Sequence, residues 1–470
     1  MKRDLVLDAA KNPGQKVRLL GFVDTRRDHG KIIFFDLRDS SGIIQVVATP
    51  KNTKPYETAS KIGSEDVVSV EGEINLRPKE NINPDLPTGK IEVTAEKIDL
   101  ISSSQALPIP IDDDGYDIDE ATRFKYRYLD LRRERLQRNL KLRSTAAKLV
   151  REFLDSQNFI EIETPYLSRG TPEGSRDFVV PSRLQKGKFY ALAQAPQQYK
   201  QLLMIAGFER YYQLARAFRD EDLRADRQFE HTQIDIEIAF VEREDVMKLT
   251  EDMVVHITEK LGKKITKKPF PVLTYQEAQS KYKIDKPNLS TNNKDLSFLW
   301  VVDFPLLEKK DDGYTFSHNP FAAPKPEYQK DLEAEKNLER IESLQYDLVC
   351  NGQEVGGGSI RISNPKIQKQ VFKIMGYSNK ETEEQFGHLL NAYNYGAPPH
   401  GGIGVGFDRL VAILAGEDNI REVIAFPVTS GGQTSVMDAP SELDEKELRE
   451  LSIKTQPIAA KLNKKPQQQK

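Results

Sequence analysis

The sequence predicts an α+β protein in which a small N-terminal β-barrel precedes a larger domain built on an antiparallel sheet flanked by helices. Five short β-rich runs lie within residues 16–101, and turn-forming stretches such as "DSSG" and "NPDLPTG" separate several of them. Further along, residues 232–240 alternate strictly between apolar and polar side chains, which is the period of a strand with one face in a core. The apolar face would carry Ile234, Ile236, Ile238 and Phe240, and the polar face Gln233, Asp235 and Glu237.

Composition limits the class of protein. The 470 residues are enough for two or three domains, and a net charge of −3 means that nucleic acid could bind only at a local basic patch. Cys350 is the only cysteine, which excludes an internal disulfide and a multi-cysteine zinc site. No apolar run approaches the roughly 20 residues that span a bilayer, and the start "MKRDLVLDAA" lacks the apolar segment of a signal peptide. We therefore expect a cytoplasmic protein without a membrane partner.

The domain organisation follows from a pass along the chain. Five strands in under a hundred residues favour an OB-fold, the commonest small barrel that also binds oligonucleotides. We expect this barrel in residues 1–103, a polar, proline-bearing hinge in 104–126, and the larger domain in 127–455. Residues 127–159 favour a helix throughout, with leucines at helical spacings. Residues 456–470, which end in "KKPQQQK", are expected to be a disordered basic tail.

Two segments carry residues suited to phosphate chemistry. "FRDEDLRADRQFEHTQID" (218–235) is expected to form an antiparallel hairpin with Arg219 at a strand end, where a guanidinium could pair phosphate oxygens bidentately. A charged hairpin tip whose side chains pair with one another would explain the same pattern. "HGGIGVGFDRLVAILAG" (400–416) predicts a glycine-rich strand entering an apolar helix, with Arg409 in its first turn. It lacks the third glycine of a dinucleotide fingerprint, because Phe407 stands there.

Together with "FLDSQNFIEIETPYL" (153–167), these segments resemble the three signature motifs of class II aminoacyl-tRNA synthetases. "TPEGSRDF", "QAPQQYKQLLM" and "YDLVCNGQEVGGGSIRI" sharpen the resemblance to aspartyl-tRNA synthetases of the bacterial kind, and it covers nearly the whole chain. The resemblance implies an OB-fold anticodon-binding domain before a class II catalytic domain. It also implies an ATP-dependent aspartate–tRNA ligase that uses Mg²⁺ and forms a homodimer. Its partners would be L-aspartate and tRNA(Asp), with tRNA(Asn) as a further candidate, and DNA would not be one.

The resemblance also assigns site residues. Arg219 would contact the α-phosphate and the aspartate carboxylate, and Arg409 the far phosphates. Lys200 and Arg361 would clamp the substrate side chain, with Asp235 orienting both. The remaining residues assigned to aspartate are Glu173, Gln197 and His318. Besides the two arginines, the residues assigned to ATP are Asp220, Glu221, Gln228, His231, Glu354, Gly406, Phe407 and Asp408. The magnesium ligands would be Asp347 and Glu354, and the anticodon contacts Arg27, His29, Phe34 and Gln45.

Three departures from the family pattern and several alternatives stay open. His231 stands where the family usually has a phenylalanine on adenine, Ala195 replaces a common serine, and residues 285–298 cross the point where bacterial relatives carry an inserted domain. Phe34 could instead be a barrel core residue, because Phe35 follows it. In the family, a histidine at position 29 tends to accompany enzymes that charge both tRNA(Asp) and tRNA(Asn), whereas "ENINPD" (80–85) keeps asparagines of strict enzymes. The alternatives are a strictly tRNA(Asp)-specific enzyme, an asparaginyl or lysyl synthetase, an adenylating enzyme without tRNA and a pure OB-fold binding protein.

Overall fold

The computed structural model describes residues 2–170, 174–292, 295–311 and 313–456. Within these ranges, no helix is long and apolar enough to cross a membrane. The chain divides into two compact units, and the boundary between them in the sequence lies between Pro110 and Ile111. Apart from residue 456, the predicted basic tail lies outside the described residues, as does Glu173.

The first unit is a closed five-stranded barrel. Its strands are β1 (Lys16–His29), β2 (Ile32–Arg38), β3 (Ile43–Ala48), β4 (Val67–Leu76) and β5 (Ile91–Ser102), closed in the order β1-β2-β3-β5-β4. Two short helices, α1 (Val6–Ala9) and α2 (Thr53–Ala59), and a 3₁₀ turn (Lys79–Asn81) accompany them. The alternation of β2 sends Phe35 into the barrel core, where it is fully buried, and leaves Phe34 on the outer face. Phe34 is therefore not a residue of the barrel core, which was the alternative interpretation of its position.

The second unit is built on an eight-stranded sheet in the order β12-β13-β16-β17-β18-β11-β10-β6. Its strands are β6 (Ile160–Glu161), β10 (Arg210–Phe218), β11 (Glu230–Ala239), β12 (Val272–Thr274), β13 (Phe298–Val302), β16 (Gln345–Cys350), β17 (Gln353–Ile360) and β18 (His400–Gly406). The central pairs are antiparallel as predicted, whereas the edge pairs β12–β13 and β10–β6 are parallel. Smaller sheets consist of β7 (Leu167–Ser168), β8 (Val179–Pro181) and β9 (Phe189–Leu192), and of β14 (Leu307–Lys310) and β15 (Gly313–Phe316).

The second unit also contains helices and short 3₁₀ turns. They are α3 (Glu120–Lys125), α4 (Arg127–Asp130), α5 (Glu134–Ser156), α6 (Gln197–Ile205), α7 (Arg243–Lys260), α8 (Tyr275–Tyr282), α9 (Gln329–Glu333), α10 (Pro365–Ile374), α11 (Asn379–Tyr393), α12 (Phe407–Ala415) and α13 (Glu445–Leu451). Short 3₁₀ turns cover Pro326–Tyr328, Leu338–Arg340 and Ile420–Val423. The apolar faces of α5, α7 and α12 pack in one core with Ile234, Ile236 and Ile238 of β11 and with Ile403 and Val405 of β18. The opposite face of the same strands is polar.

Three local expectations differ from the structure. The helix expected over 127–159 is interrupted at 131–133, because Arg133 has an extended backbone and its buried side chain donates to Asp130. β11 ends at Ala239, and Phe240 has a φ of 59° and an exposed side chain instead of a place in the core. Of the segment expected to be a hinge, residues 111–126 belong to the second unit, where α3 buries Arg123 against Asp130 and Glu422.

Glycines set the spacing of the central strands. A Cβ atom at Gly402 would collide with the backbone oxygen of Ile236 and the carboxylate of Glu237. At Gly404, two residues along β18, the nearest atom to such a Cβ would be Asp235 Oδ1 at 3.6 Å, an ordinary contact. The absence of a side chain is therefore required at Gly402 for packing and not at Gly404.

We predict that Gly402→Ala lowers the free energy of unfolding by about 1–3 kcal/mol, the usual cost of overpacking, whereas Gly404→Ala leaves it nearly unchanged. Urea denaturation of both variants and the parent measures this. Equal midpoints for the two variants would contradict the packing account of Gly402.

Candidate active site

One cavity of about 330 Å³ lies on the polar face of the eight-stranded sheet. It brings together most of the residues that the sequence assigned to aspartate, ATP and metal, although they come from distant parts of the chain. These residues are Gln197, Lys200, Arg219, Glu221, Gln228, His231, Asp235, His318, Asp347, Glu354, Arg361, Gly406, Asp408 and Arg409. A single space could therefore hold a nucleotide and a small amino acid side by side.

Among the described residues that were assigned to ATP, two do not line this cavity. Asp220 turns towards Arg176, with 3.6 Å between its Oδ2 and the arginine Nε. Phe407 is buried in the hydrophobic core below the sheet, because it is the first residue of α12 and faces the packed side of that helix. Asp408 lines the cavity but already accepts from the Thr232 backbone N–H at 2.8 Å and pairs with Arg143. Asp408 therefore serves to tie α12 to β11.

Four charged side chains form a buried cluster beside the cavity, which we call the ion quartet: Lys200, Asp235, Glu237 and Arg361. Lys200 Nζ donates to Asp235 Oδ1 at 3.0 Å and lies 3.4 Å from Glu237 Oε2. Arg361 pairs bidentately with Glu237, through Nε–Oε1 at 2.9 Å and Nη2–Oε2 at 3.1 Å. The quartet contains two cations and two anions, so each buried charge is compensated.

Glu237 was not among the residues assigned from the sequence. The expectation that Asp235 orients both cations is corrected accordingly, because Asp235 holds Lys200 and Glu237 holds Arg361. Burial opposes ionisation of Glu237, but Arg361 and Lys200 outweigh it and hold the pKa of this carboxyl below its ordinary value. The strand alternation that places Glu237 beside Asp235 on the polar face was the available signal.

Two donors of the quartet remain for a ligand. Arg361 uses four of its five N–H groups on Glu237, Ser359 and the Gly402 carbonyl. Lys200 has three N–H groups and faces two carboxylates. Within the described chain, one N–H of each cation is therefore free to meet an acceptor oxygen in the cavity.

Two further arginines, Arg219 and Arg409, line the same cavity. Arg219 Nε donates to the Gln194 carbonyl at 3.4 Å, and Arg409 Nη2 donates to Asp226 Oδ2 at 3.1 Å. His231 lines the cavity too, and burial together with the charges of Arg219 and Arg409 lowers its pKa to about 3. A neutral imidazole there adds no charge to a site that already holds two guanidinium groups.

A pair of carboxylates faces the same space. The Cβ position of Gly357 lies 3.0 Å from Asp347 Oδ1 and 3.7 Å from Glu354 Oε1, so the glycine leaves room for both acids. Burial and the charge of Asp347 raise the pKa of Glu354. No set of three or more metal-ligating side chains occurs among the described residues. Two carboxylates nevertheless fit Mg²⁺, which protein sites commonly bind through one or two carboxylates plus substrate phosphates.

His318 lines the cavity beside these acids. Its Nε2 lies 3.4 Å from Asp347 Oδ2, and its ring packs on Phe304 with 4.7 Å between centroids. Burial opposes its protonation, but Asp347 and Glu354 raise the pKa of His318 above its ordinary value.

The barrel carries a second group of assigned residues. Arg27 pairs with Phe34 in the β1–β2 register, and the His29 and Phe34 rings are in edge contact with centroids 5.8 Å apart. Gln45 Nε2 donates to Glu92 Oε2 at 2.9 Å. These four residues lie on neighbouring strands β1, β2 and β3, and Phe34 exposes part of its ring. An aromatic ring beside polar edges is a common arrangement for reading unstacked RNA bases.

We predict that Glu237→Gln lowers the free energy of unfolding by about 3–5 kcal/mol, because it leaves Arg361 buried without its partner charge. Glu230→Gln is the matched control: it lies on the same strand and removes a half-exposed pair with Arg216, so the loss should stay below about 1 kcal/mol. Chemical denaturation of both variants checks the difference, and equal losses would contradict the buried pairing.

Two models of known protein families match this chain. Residues 119–430 match the family model described as tRNA synthetases class II (D, K and N), and residues 17–101 match an OB-fold nucleic acid binding domain. An aspartate–tRNA(Asp/Asn) ligase of Caldanaerobacter subterraneus subsp. tengcongensis is 40% identical, over 94% of this chain and 96% of that protein. An aspartate–tRNA ligase of Staphylococcus carnosus is 38% identical, over 94% and 97%. The alignment with the Caldanaerobacter relative spans 574 positions but covers only 94% of the 470 residues here, so that relative has insertions that total more than a hundred residues.

Solved structures agree. The asparaginyl-tRNA synthetase of Pyrococcus horikoshii, complexed with asparaginyl-adenylate, superposes with a TM-score of 0.73 at 25% identity, over 91% of this chain and 98% of that one. The predicted fold class, an OB-fold barrel followed by an α+β synthetase domain, is confirmed. The chain belongs to the class II tRNA synthetases of the D, K and N group.

Proposed function

We propose that this chain is an aspartate–tRNA ligase, which activates L-aspartate with ATP and transfers it to tRNA. The observation that carries the proposal is the ion quartet, which offers one free N–H on each of Lys200 and Arg361 within the same cavity as Arg219 and Arg409. The names of the relatives in Caldanaerobacter and Staphylococcus support it.

In the first step, a substrate carboxylate oxygen attacks the α-phosphorus of ATP and the bond to pyrophosphate breaks. Arg219 would balance charge on the α-phosphate, and Arg409 charge on the departing phosphates, because guanidinium groups remain ionised at working pH. Gln197 Nε2 is buried and has no partner among the described residues, so it suits the α-carboxylate. Glu221 would accept from the adenine amino group, and Gln228 and the His231 ring would border the base.

Asp347 and Glu354 would hold Mg²⁺, which would supply charge neutralisation at the phosphates. Desolvation and the nearby charge of Asp347 raise the pKa of Glu354, and a bound cation would relieve the repulsion between the two acids.

Selection of aspartate follows from the donors that the quartet leaves free. A side-chain carboxylate presents two acceptor oxygens to the N–H groups of Lys200 and Arg361. An asparagine side chain would turn its NH₂ group towards one of these donors and leave that donor unpaired in a buried site. A lysine side chain would bring a third cation beside them. The quartet therefore favours aspartate over the substrates of the asparaginyl and lysyl synthetases.

In the second step, a ribose hydroxyl at the 3′ end of tRNA attacks the aspartyl carbonyl carbon and AMP leaves. The barrel would bind the anticodon through stacking on Phe34 and polar contacts from Arg27, His29 and Gln45. We propose that both tRNA(Asp) and tRNA(Asn) are substrates. Two observations support this proposal: His29 lies beside Phe34, and the name of the Caldanaerobacter relative includes both tRNA specificities. The name of the Staphylococcus relative does not include tRNA(Asn).

Two further elements complete the proposal. A cytoplasmic location fits an enzyme whose substrates are ATP and tRNA. A homodimer fits the exposed apolar side chains Ile160, Leu167, Val179 and Phe189, which lie on the short strands β6 to β9 that follow α5.

We predict that Arg219→Ala and Arg409→Ala each lower aspartate-dependent ATP–pyrophosphate exchange by at least about a hundredfold, because each removes a cation from a phosphate. Arg210→Ala, at the exposed start of the strand that leads to Arg219, is the control and should keep full exchange. Circular dichroism verifies folding. Near-normal exchange in either active-site variant would remove that arginine from the mechanism.

The tRNA proposal predicts that the wild type charges tRNA(Asp) and tRNA(Asn) with comparable kcat/KM. His29→Leu should lower kcat/KM for tRNA(Asn) about tenfold more than for tRNA(Asp), since one base contact is changed. Lys31→Ala in the same turn is the control. A wild type that charges tRNA(Asn) about a thousandfold less efficiently would contradict dual specificity.

The homodimer proposal predicts a mass of twice 53.5 kDa by light scattering at working concentration. Leu167→Asp should shift that mass towards the monomer by placing a charge among exposed apolar side chains, whereas Leu184→Asp, on an exposed turn, should not. An active wild-type monomer would contradict the proposal.

A further inference from the structure

The loop between β10 and β11 carries several of the residues that line the active-site cavity. We call residues 222–228 the nucleotide loop, since Gln228 is assigned to ATP and Asp226 and Arg227 line the cavity beside it. Within this loop the chain forms only turns and a single bridge from Arg224 to Arg227. One such bridge fixes little of the backbone, so contacts with other segments must hold the nucleotide loop in place.

Three successive backbone carbonyls of the nucleotide loop accept hydrogen bonds from α12 and the 3₁₀ turn that follows it. The pairs are Arg421 Nη2 to the Arg224 carbonyl at 3.4 Å, the Ile420 N–H to the Ala225 carbonyl at 3.0 Å, and Arg409 Nη2 to the Asp226 carbonyl at 3.3 Å. Beyond the turn, the Val428 N–H donates to Gln228 Oε1 at 2.8 Å. The 3₁₀ turn Ile420–Val423 supplies two of the three carbonyl contacts, so its position determines the position of the loop.

Arg421 is the only side chain of this turn among these contacts, and it is itself held from the other side. Its side chain is 7% exposed, and its Nη1 donates to Glu120 Oε2 of α3 at 2.7 Å. The other oxygen of Glu120 accepts from the Ser430 N–H at 3.2 Å. A planar guanidinium that pairs with a carboxylate on one side has a fixed direction for its remaining N–H groups. Glu120 therefore orients Arg421 towards the Arg224 carbonyl.

We propose that Arg421, held by Glu120, is a positioning residue that sets the affinity for ATP without touching it. The inference rests on the proposed function, which assigns ATP to the cavity beside the nucleotide loop. Of the described residues of the turn, Ile420 lines this cavity and Arg421 does not. Without Arg421 the loop would occupy its binding-competent position for only part of the time, and the apparent affinity for ATP falls in proportion to that fraction.

The affinity for aspartate should not depend on this support. Lys200 belongs to α6 and Arg361 directly follows β17, and both are held by the acids of β11. Their positions are therefore set by elements other than the nucleotide loop. A positional role of Arg421 thus separates the two substrates, whereas a general loss of stability would affect both.

The first test is ATP–pyrophosphate exchange by Arg421→Ala. The KM for ATP should rise about tenfold, the effect expected from one buried hydrogen bond of a charged group, whereas the KM for aspartate and kcat at saturating ATP should be kept. The matched control is Arg243→Ala, which loses a pair with Asp303 at 2.6 Å that is also largely buried, and it should keep all three constants. An unchanged KM for ATP, or an equal rise in both KM values, would overturn the proposal.

The role of Glu120 is tested by a double-mutant cycle. Glu120→Gln removes the charge that orients Arg421 and should raise the KM for ATP in the otherwise unchanged protein. In the Arg421→Ala background the same substitution should have no further effect, because Glu120 acts through Arg421. Additive effects of the two substitutions would overturn this part of the proposal.

A second measurement needs no nucleotide. Arg224 is exposed and offers a tryptic cleavage site within the nucleotide loop. Trypsin should cleave after Arg224 about tenfold faster in ligand-free Arg421→Ala than in the wild type or Arg243→Ala, because the loop opens more often. Should Arg421→Ala fail to fold, Glu120→Gln gives the same comparison. Equal cleavage rates would overturn the proposal, whereas faster cleavage together with a wild type that lacks exchange would defeat only the proposed function.

Discussion

The bidentate pairing of Arg361 with Glu237 inside the sheet is the interaction on which the site depends. A guanidinium and a carboxylate both fully buried require good geometry, because their desolvation is offset only by close pairing and further hydrogen bonds. The backbone supplies that geometry. Gly402 has no side chain to collide with Glu237, and its carbonyl accepts from Arg361 at 3.1 Å. The glycine at position 402 of β18 is thus explained by the buried charges beside it.

Glu237 and Glu354 lie in opposite electrostatic environments. Glu237 is buried and Glu354 is partly buried, and desolvation alone would raise the pKa of each. Glu237 faces two cations and has a lowered pKa, whereas Glu354 faces Asp347 and has a raised one. The first acid is therefore a fixed anion that positions a cation. The second belongs to a pair that gains from an added cation, which is the property expected at the phosphates of a nucleotide.

Sequence patterns correctly predicted which face of a strand each side chain occupies. They did not predict which charged residues are buried or which of them pair with one another. Alternation placed Asp235 and Glu237 on the polar side of β11, and the motif resemblance identified most side chains that line the cavity. Neither indicated that Glu237 rather than Asp235 holds Arg361, because that depends on which neighbouring strand carries the partner. Arg123, Asp130 and Arg133 were expected in a polar hinge and an unbroken helix, yet their side chains are buried and the helix is interrupted there. Such networks depend on tertiary contacts, here with Glu422, nearly three hundred residues away.

Substrate choice depends on the free N–H groups of Lys200 and Arg361, which select a carboxylate over a carboxamide. The ratio of kcat/KM for aspartate to that for asparagine, measured by ATP–pyrophosphate exchange with the unmodified protein, tests it most directly. We expect a preference for aspartate of at least about a hundredfold, since asparagine would leave a buried charged donor unpaired. Activation of asparagine within about tenfold of aspartate would contradict it.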